Sequence, residues 1–508
     1  MQLNKNFFNR IIENLPNLDI PFIKTANEQN YSYSDMIRLS GKYANALTKL
    51  GVRKESRIML QTEKKIECIW LYLACLRIGA IFVTINPAYT KAETEFFLKD
   101  TEPILFVTDK RSRFVEVTNI LGKKSDTQVI QLTALEGQSL SKLIAISEES
   151  FKNSECNGTD IAAILYTSGT TGRSKGAMIT HENLSSNAKA LSEIWNFTAV
   201  DTLLHILPIY HTHGLFVAFN TVMVSGSSIF FEEKFEIDRI LKIIGQTTVM
   251  MGVPTHYTRL LGSKAFSAQL TINMRLFISG SAPLSFDTHR KFEKQTNHTI
   301  LERYGMTETN MITSNPYNSL RKPRTVGFAL PGVKVRVTSL KTKKTVKDGV
   351  IGNIEVQGPN VFKGYWRLPE QTKLDFTDDN FFKTGDLGFI DSDGYLNLSG
   401  RGKDLIISGG LNVYPAEIEQ NIDSMSEILE AAVIGLPHPD FGEGVTAVVT
   451  TEQNIEFDES QLKDRLKDKL AGFKIPLKII QVETLPRNSM GKIEKSVLRD
   501  LFISEYLK

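Results

Sequence analysis

The segment Tyr166-Thr-Ser-Gly-Thr-Thr-Gly-Arg-Ser-Lys-Gly176 carries the chemistry most plainly. Gly169 and Gly172 free the backbone to curl its N–H groups around an anion. The hydroxyls of Thr167, Ser168, Thr170 and Thr171 add donors for phosphate oxygens, and Lys175 adds a compact positive charge. An apolar run, Ile161 to Leu165, leads in. A helical stripe of Leu184, Ala188, Leu191 and Trp195 follows from about His181, so the loop is expected to join a strand to a helix. The spacing differs from GxxxxGK(S/T), and no GxGxxG follows a strand. Both the usual P-loop and a dinucleotide fold are therefore disfavoured.

The elements that must hold this loop are legible on either side of it. Short β-branched runs at 57–60, 81–85, 104–108 and 163–167 alternate with helical patterns over 64–78 and 183–194. That alternation predicts α/β architecture with largely parallel sheets. Runs at 333–339, 353–358 and 389–400 lie closer together, with Ser392-Asp393-Gly394 as a hairpin turn, and predict a small antiparallel region. After Gly400-Arg401-Gly402-Lys403-Asp404 the chain starts a βα pattern of its own. The fold class is thus α/β: a large N-terminal domain (1–402) of mixed, mostly parallel sheets, and a small, mobile α+β C-terminal domain (403–508).

A length of 508 residues suits about three folding units at roughly 150 residues each. Apolar residues at 41% and charged residues at 23% exclude wholesale disorder. Sixty Lys and Arg against 57 Asp and Glu exclude a polycation that coats nucleic acid. Cys68, Cys75 and Cys156 form no CxxC and have no His at ligand spacing, so neither a disulfide scaffold nor a zinc site is expected. The apolar run from Cys68 to Val83 is broken by Arg77 and Gly79, and reads as a buried helix and strand rather than a membrane span. The first residues have no apolar leader and carry Asn, Glu and Asp, so the cytoplasm is the expected location.

Five further motifs follow the loop in order: Ser279-Gly-Ser-Ala-Pro-Leu284, Tyr304-Gly-Met-Thr-Glu308, Lys383-Thr-Gly-Asp-Leu387, Gly400-Arg-Gly-Lys-Asp404 and Pro486-Arg-Asn-Ser-Met-Gly-Lys492. Together they resemble the adenylate-forming superfamily, which holds acyl-CoA synthetases, adenylation domains of peptide synthetases and firefly-type luciferases. The resemblance covers essentially the whole chain. Ser174 stands where that family usually has proline. Arg173-Ser174-Lys175 and the stretches 205–216, 253–261 and 301–309 are most similar to the malonyl-CoA synthetase branch.

The resemblance implies a two-step reaction. A carboxylate attacks the α-phosphate of ATP, releasing pyrophosphate, and the thiol of coenzyme A then displaces AMP from the acyl-adenylate. It implies that Glu308 holds Mg2+ against the triphosphate while Thr307 contacts the α-phosphate. Asp386 would accept hydrogen bonds from the ribose, with Arg401 beside it. Tyr304, next to Gly305, would stack on adenine, walled by Ser281, Ala282 and Pro283. Lys492, in a loop marked by Pro486 and Gly491, would stabilise the charge shared by carboxylate and α-phosphate. Lys403 would be the hinge that exchanges Lys492 for Ser408, Gly409 and Gly410, whose small side chains admit pantetheine.

The acid follows from the charge of its pocket. Leaving a buried carboxylate unpaired costs on the order of 3–5 kcal/mol, so a short dicarboxylate needs a cation at the pocket floor. If Tyr304 turns toward adenine, Arg303 on the same extended segment turns toward the acid; pairing with Glu302 outside the pocket is its alternative. His211 is the expected pocket wall, Arg259 a further candidate cation, and Met306 a limit on substituents at C2 of the acid. Malonate, then methylmalonate, is favoured. A medium- or long-chain fatty acyl-CoA synthetase is the alternative, followed by an adenylation domain loading a carrier protein; a non-catalytic nucleotide sensor would lack Glu308, Asp386 or Lys492, and this chain has all three. Small acid, ATP and CoA are the expected partners, with no nucleic acid and no integral membrane segment.

Overall fold

The computed structural model describes the chain apart from positions 1–4, 14, 16, 26–28, 123–124, 134–138, 168–173, 410, 452–457, 489–490 and 507–508. Its described residues form four sheets. A six-stranded sheet runs in the order Gln128–Gln131, Leu105–Thr108, Arg57–Gln61, Ile81–Thr84, Ile161–Thr167 and Lys175–Thr180. It is parallel except for its last pair. Its strands are apolar on both faces because helices cover both.

The run from Cys68 to Val83 is, as expected, a buried helix, Ile66–Ile78, and the strand Ile81–Thr84. The helix stops at Gly79, whose left-handed φ of 74° turns the chain into that strand. No helix among the described residues is long and apolar enough to cross a membrane.

A nine-stranded sheet stands beside it, and its core is parallel: Ile300–Met306, Leu276–Ser279, Val249–Gly252, Thr202–His205, Ser228–Phe231 and Pro21–Thr25. The carboxyl ends of Val249–Gly252 and Leu276–Ser279 lie in register, Gly252 opposite Ser279 and Ser279 opposite Glu302, and the strand Ile300–Met306 runs on past them. Crevices outside such strand ends are where open α/β sheets hold ligands. Here those ends lead into the helix Pro254–Leu261, the loop 280–285 and the turn at Thr307-Glu308. Pro254 starts its helix at a position that needs no N–H, and Ser285 caps the helix Phe286–Thr296.

The predicted antiparallel region is a four-stranded sheet, Lys334–Thr338, Gly352–Gln357, Phe382–Ile390 and Leu396–Arg401, with Gly394 at φ 85° in the hairpin turn. A short 3-10 turn, Gly402–Asp404, separates it from a fourth sheet. There Leu411–Val413, Ile406–Ser408, Gly442–Thr451 and Ile428–His438 pair antiparallel, and Lys478–Gln481 adds in parallel. This last sheet has its own apolar cluster, including Val433, Val445, Ala447 and Leu462.

One expectation is corrected. Lys175 does not precede a helix: it opens a second strand, Lys175–Thr180, paired antiparallel with Ile161–Thr167 so that Thr167 faces Lys175. The helix His181–Ile194 starts only after it, capped by Thr180 and Asn183. The phosphate-type loop is therefore the tip of a hairpin.

Candidate active site

Thr167 ends its strand with its hydroxyl 3.5 Å from Glu308 Oε1. Ser168, Gly169, Thr170, Thr171 and Gly172 lie outside the described residues. Lys175 is buried, its Nζ 3.7 Å from Asp375 Oδ2 and 4.5 Å from the Tyr365 ring centroid. Glu308 is also buried and accepts a hydrogen bond from the Tyr365 hydroxyl at 3.1 Å. Burial raises its carboxyl above the ordinary range, while Tyr365, Arg401 and Lys175 oppose the rise. Among the described residues no three His, Cys, Asp or Glu converge as a metal cage. A lone carboxylate beside cations suits Mg2+ that arrives with a polyphosphate and keeps phosphate and water oxygens. Thr307 is half-buried in the turn beside Glu308.

Asp386 and Arg401 face each other across two antiparallel strands, with Arg401 Nε 2.7 Å from Asp386 Oδ1. The other oxygen of Asp386 accepts the Tyr304 hydroxyl. Burial, with Asp386 beside it, holds the Tyr304 phenol well above its usual range. On the loop after the strand Leu276–Ser279, Ser281 adopts a left-handed φ of 70°, and its Oγ lies 3.1 Å from His213 Nδ1. Ala282 is half-buried and Pro283 exposed on the same loop. Gly305 leaves no room for a side chain: a Cβ there would sit 1.9 Å from Asn310 O.

Arg303 is the outlier of the site. It is 4% exposed, and its Nε and Nη2 have no hydrogen-bond partner among the described residues. Those two nitrogens form one edge of the guanidinium, the edge that a carboxylate grips with both oxygens. Burial pushes the guanidinium down to about 9, with Tyr257 opposing. Glu302 does not pair with it. That carboxyl instead accepts the backbone N–H groups of Arg324, at 3.0 Å, and Leu284, and burial pushes it up to about 8. His211 is half-buried beside Arg303, with its imidazole pushed down to about 3 by burial, Lys492 and Arg303. His213 is buried and likewise held neutral, first by burial and then by Arg303. Met306 packs against the large core. Arg259 is not brought to this pocket: it lies on the exposed side of its helix, with its guanidinium 4.6 Å from the Phe235 ring centroid.

Lys492 reaches the same cleft from the C-terminal sheet. The preceding Gly491 stands by Thr255, where a Cβ would lie 3.7 Å from Thr255 Oγ1. Lys492 keeps an exposed flank, and the protein atoms around its ammonium strip enough water to lower it below the usual lysine range; Arg401 and Arg303 add to the fall, and Asp386 and Glu308 oppose it. Lys403 is exposed in the 3-10 turn. Ser408 and Gly409 belong to the hairpin of the C-terminal sheet, with Gly409 at φ 57° and its N–H on Phe441 O. Gly410 lies outside the described residues.

Two residues have no signal in the sequence pattern. Tyr365 serves Glu308 from 57 positions away with no motif around it. Gly280 was only the second letter of a motif. His213, in Tyr210-His-Thr-His213, reads from the sequence as a packed histidine; its bond to Ser281, 68 positions away, comes only from the fold.

The family described as AMP-binding enzyme matches residues 13–366, and the AMP-binding enzyme C-terminal domain matches residues 417–492. The malonate–CoA ligase of Arabidopsis thaliana is 34% identical over 527 residues, covering 93% of this chain and 85% of that one. ATP-bound MatB from Rhodopseudomonas palustris superposes with a TM-score of 0.96 at 50% identity, covering 99% of this chain and 100% of that one. Apo MatB from the same organism gives 0.87 at the same identity and coverage. Both regions are matched in order along one chain, and this protein belongs to the AMP-binding enzyme family.

Proposed function

We propose that this protein is an ATP-dependent malonate–CoA ligase that works through malonyl-adenylate. One observation carries the choice of acid: the buried Arg303, with the Nε and Nη2 edge of its guanidinium unpartnered, shares its cleft with Lys492. A dicarboxylate satisfies both cations at once. Its distal carboxylate takes the free edge of Arg303, and its reacting carboxylate takes the Lys492 ammonium. A fatty acid would leave Arg303 buried and unpaired, at a cost on the order of 3–5 kcal/mol. The malonate–CoA ligase relative from Arabidopsis thaliana supports the same acid.

In the first step a carboxylate oxygen of malonate bonds to the α-phosphorus of ATP. The bond from that phosphorus to the bridging oxygen breaks, and pyrophosphate leaves. Lys492 and Arg401 offset the repulsion between the two anions, and Thr307 holds the α-phosphate. The hairpin tip from Thr167 to Lys175, including Ser168, Gly169, Thr170, Thr171 and Gly172, cradles the leaving phosphates. Mg2+, where bound with the nucleotide, would be held by Glu308 and would neutralise the triphosphate. Asp386 orients the ribose. Tyr304 and Gly305, with Ser281, Ala282 and Pro283, enclose the base. In the second step the CoA sulfur bonds to the acyl carbon, its proton leaves to solvent, and the acyl–phosphate oxygen departs with AMP. We take residues 1–402 and 403–508 as two units that pivot at Lys403 between these steps, bringing Ser408, Gly409 and Gly410 to the cleft. His211 and Met306 line the acid pocket and keep it small. The three buried free thiols suit a reducing compartment, and the cytoplasm is the proposed one.

The test is pyrophosphate release with ATP, Mg2+ and CoA across acetate, malonate, methylmalonate, succinate, octanoate and palmitate. Malonate should exceed every monocarboxylate in kcat/KM by at least about 100-fold, the equivalent of roughly 2.7 kcal/mol. A preference for octanoate or palmitate would remove Arg303 from the acid pocket.

A further inference from the structure

Arg324 is one of the few residues other than glycine with a left-handed backbone, at φ 68°. Such a conformation crowds Cβ, and it persists where the surroundings hold it. Here the surroundings are specific. The Arg324 N–H donates to Glu302 Oε1 at 3.0 Å. Its guanidinium carbon lies 5.3 Å from the Phe286 ring centroid. Its Nη2 then crosses to the C-terminal sheet-and-helix unit and donates to Gln420 O at 3.3 Å.

Each end of this link sits at a functional place. Glu302 directly precedes Arg303 and also accepts the N–H of Leu284, at the end of the Ser281-Ala282-Pro283 wall. Phe286 opens the helix that follows that wall. On the far side, Gln420 lies in the last turn of the helix Pro415–Ile422, where carbonyls lack helical partners and a cation is favoured. Asp423, just beyond that helix, feels the Arg324 charge as well. The unit that receives this contact is the one whose loop carries Lys492 into the cleft. The whole chain superposes more closely on ATP-bound MatB than on apo MatB, at TM-scores of 0.96 and 0.87.

We propose that Arg324 is a positioning residue for the adenylation step: it latches the C-terminal unit onto the nucleotide wall in the orientation that inserts Lys492. The latch rests on the reading of Lys492 given above. It acts through placement, and its guanidinium touches neither substrate.

Arg324→Gly isolates the guanidinium, because glycine adopts φ 68° freely and keeps the N–H for Glu302. Acyl-adenylate formation is measured as malonate-dependent pyrophosphate release, and thioester formation from supplied malonyl-AMP and CoA. The glycine variant should lose adenylation kcat on the order of 10-fold while thioester formation is unchanged or faster. Its KM for ATP and for malonate should hold. Arg324→Lys should restore part of the loss. On a Lys492→Ala background the glycine change should add nothing further to the adenylation loss. An equal loss in both half-reactions, or undiminished adenylation, overturns the latch. Should Arg324→Gly fold poorly in a thermal melt, Arg324→Gln takes its place in the same assays. Lys492→Ala alone separates the two readings: loss of both half-reactions in that variant refutes the role of Lys492, whatever Arg324 does. If the wild type turns over a different acid, the same split is read with that acid and its adenylate.

Discussion

Arg303 is pressed against Gly280: a Cβ at position 280 would lie 2.3 Å from Arg303 Cζ and 2.5 Å from both Nε and Nη1. The guanidinium is thus seated by the absence of a side chain on a neighbouring strand end. Gly280 has no left-handed φ, so alanine there is unstrained by its backbone and acts through space alone. Gly280→Ala should displace the guanidinium and raise the KM for malonate about 10-fold or more, with the KM for ATP changed far less. Steady-state pyrophosphate release with each substrate varied in turn is the check. Equal effects on both KM values would mean that the loop 280–285 as a whole had moved.

The same cation is expected to weaken the resting protein. A buried guanidinium with an unpartnered edge lacks the hydrogen bonds that offset its desolvation. Arg303→Met should therefore abolish malonate use yet raise the melting temperature of the ligand-free protein. Replacing such a group with an apolar side chain of similar length gains on the order of 1–4 kcal/mol. Malonate alone should raise the melting temperature of the wild type and leave that of Arg303→Met unmoved. A wild type indifferent to malonate, or a variant less stable than the wild type, would contradict this account.

The contrast between Arg303 and Arg259 shows how far the chain could be read beforehand. Both are cations in similar stretches, and composition cannot rank them. Helical periodicity can: in Pro254–Leu261 the buried positions are Tyr257 and Leu260, which leaves Arg259 on the outer face. Local patterns also located the strands, the buried helix and the ordered motifs, because each depends on neighbours within a few residues. What escaped depends on distant partners. The pairing of Thr167 with Lys175 that turns a loop into a hairpin tip is set by sheet register. The seat of Arg303 on Gly280 and the Tyr365 bond to Glu308 are set by tertiary packing. The left-handed Arg324 has no sequence signature, since arginine is not a residue chosen for that conformation.

Lys492 approaches the cleft in a loop that docks beside Thr255, and its nearest charges are those of Arg401, Asp386, Arg303 and Glu308. Lys492→Ala should lower adenylation by about 100-fold or more, while thioester formation from supplied malonyl-AMP stays within about 2-fold of the wild type. The pH dependence carries the same assignment. The ammonium titrates below the ordinary lysine value, so its charged form is lost as pH rises and the alkaline limb of adenylation should fall below about 10.4, the value of a free lysine. Burial pushes His211 down to about 3 and holds His213 well below the usual imidazole range, so no loss of adenylation near pH 6.5 should trace to them. An alkaline limb that is the same in the thioester half-reaction would point away from Lys492.

Glu302 supplies a stability prediction whose sign follows from its burial. Its carboxyl is pushed up to about 8, chiefly by burial, while Arg324 and the two backbone N–H groups oppose the rise. In the unfolded chain the same group titrates near 4.3. The native state therefore holds the proton more tightly, and the stabilisation from this group is fully present below about pH 4.3 and lost as pH rises through about 8. Asp423, pushed up to about 8 by burial and by Glu419 and Glu430, acts in the same direction. The melting temperature should thus fall between pH 6 and pH 9. Glu302→Gln keeps an oxygen to accept a backbone N–H but cannot ionise, so it should flatten that fall. The variant should melt higher than the wild type at pH 9, by on the order of 2 °C per kcal/mol recovered, with little difference at pH 5. Melting curves at the three pH values decide it: an unchanged slope in Glu302→Gln would show that the carboxyl is ionised throughout.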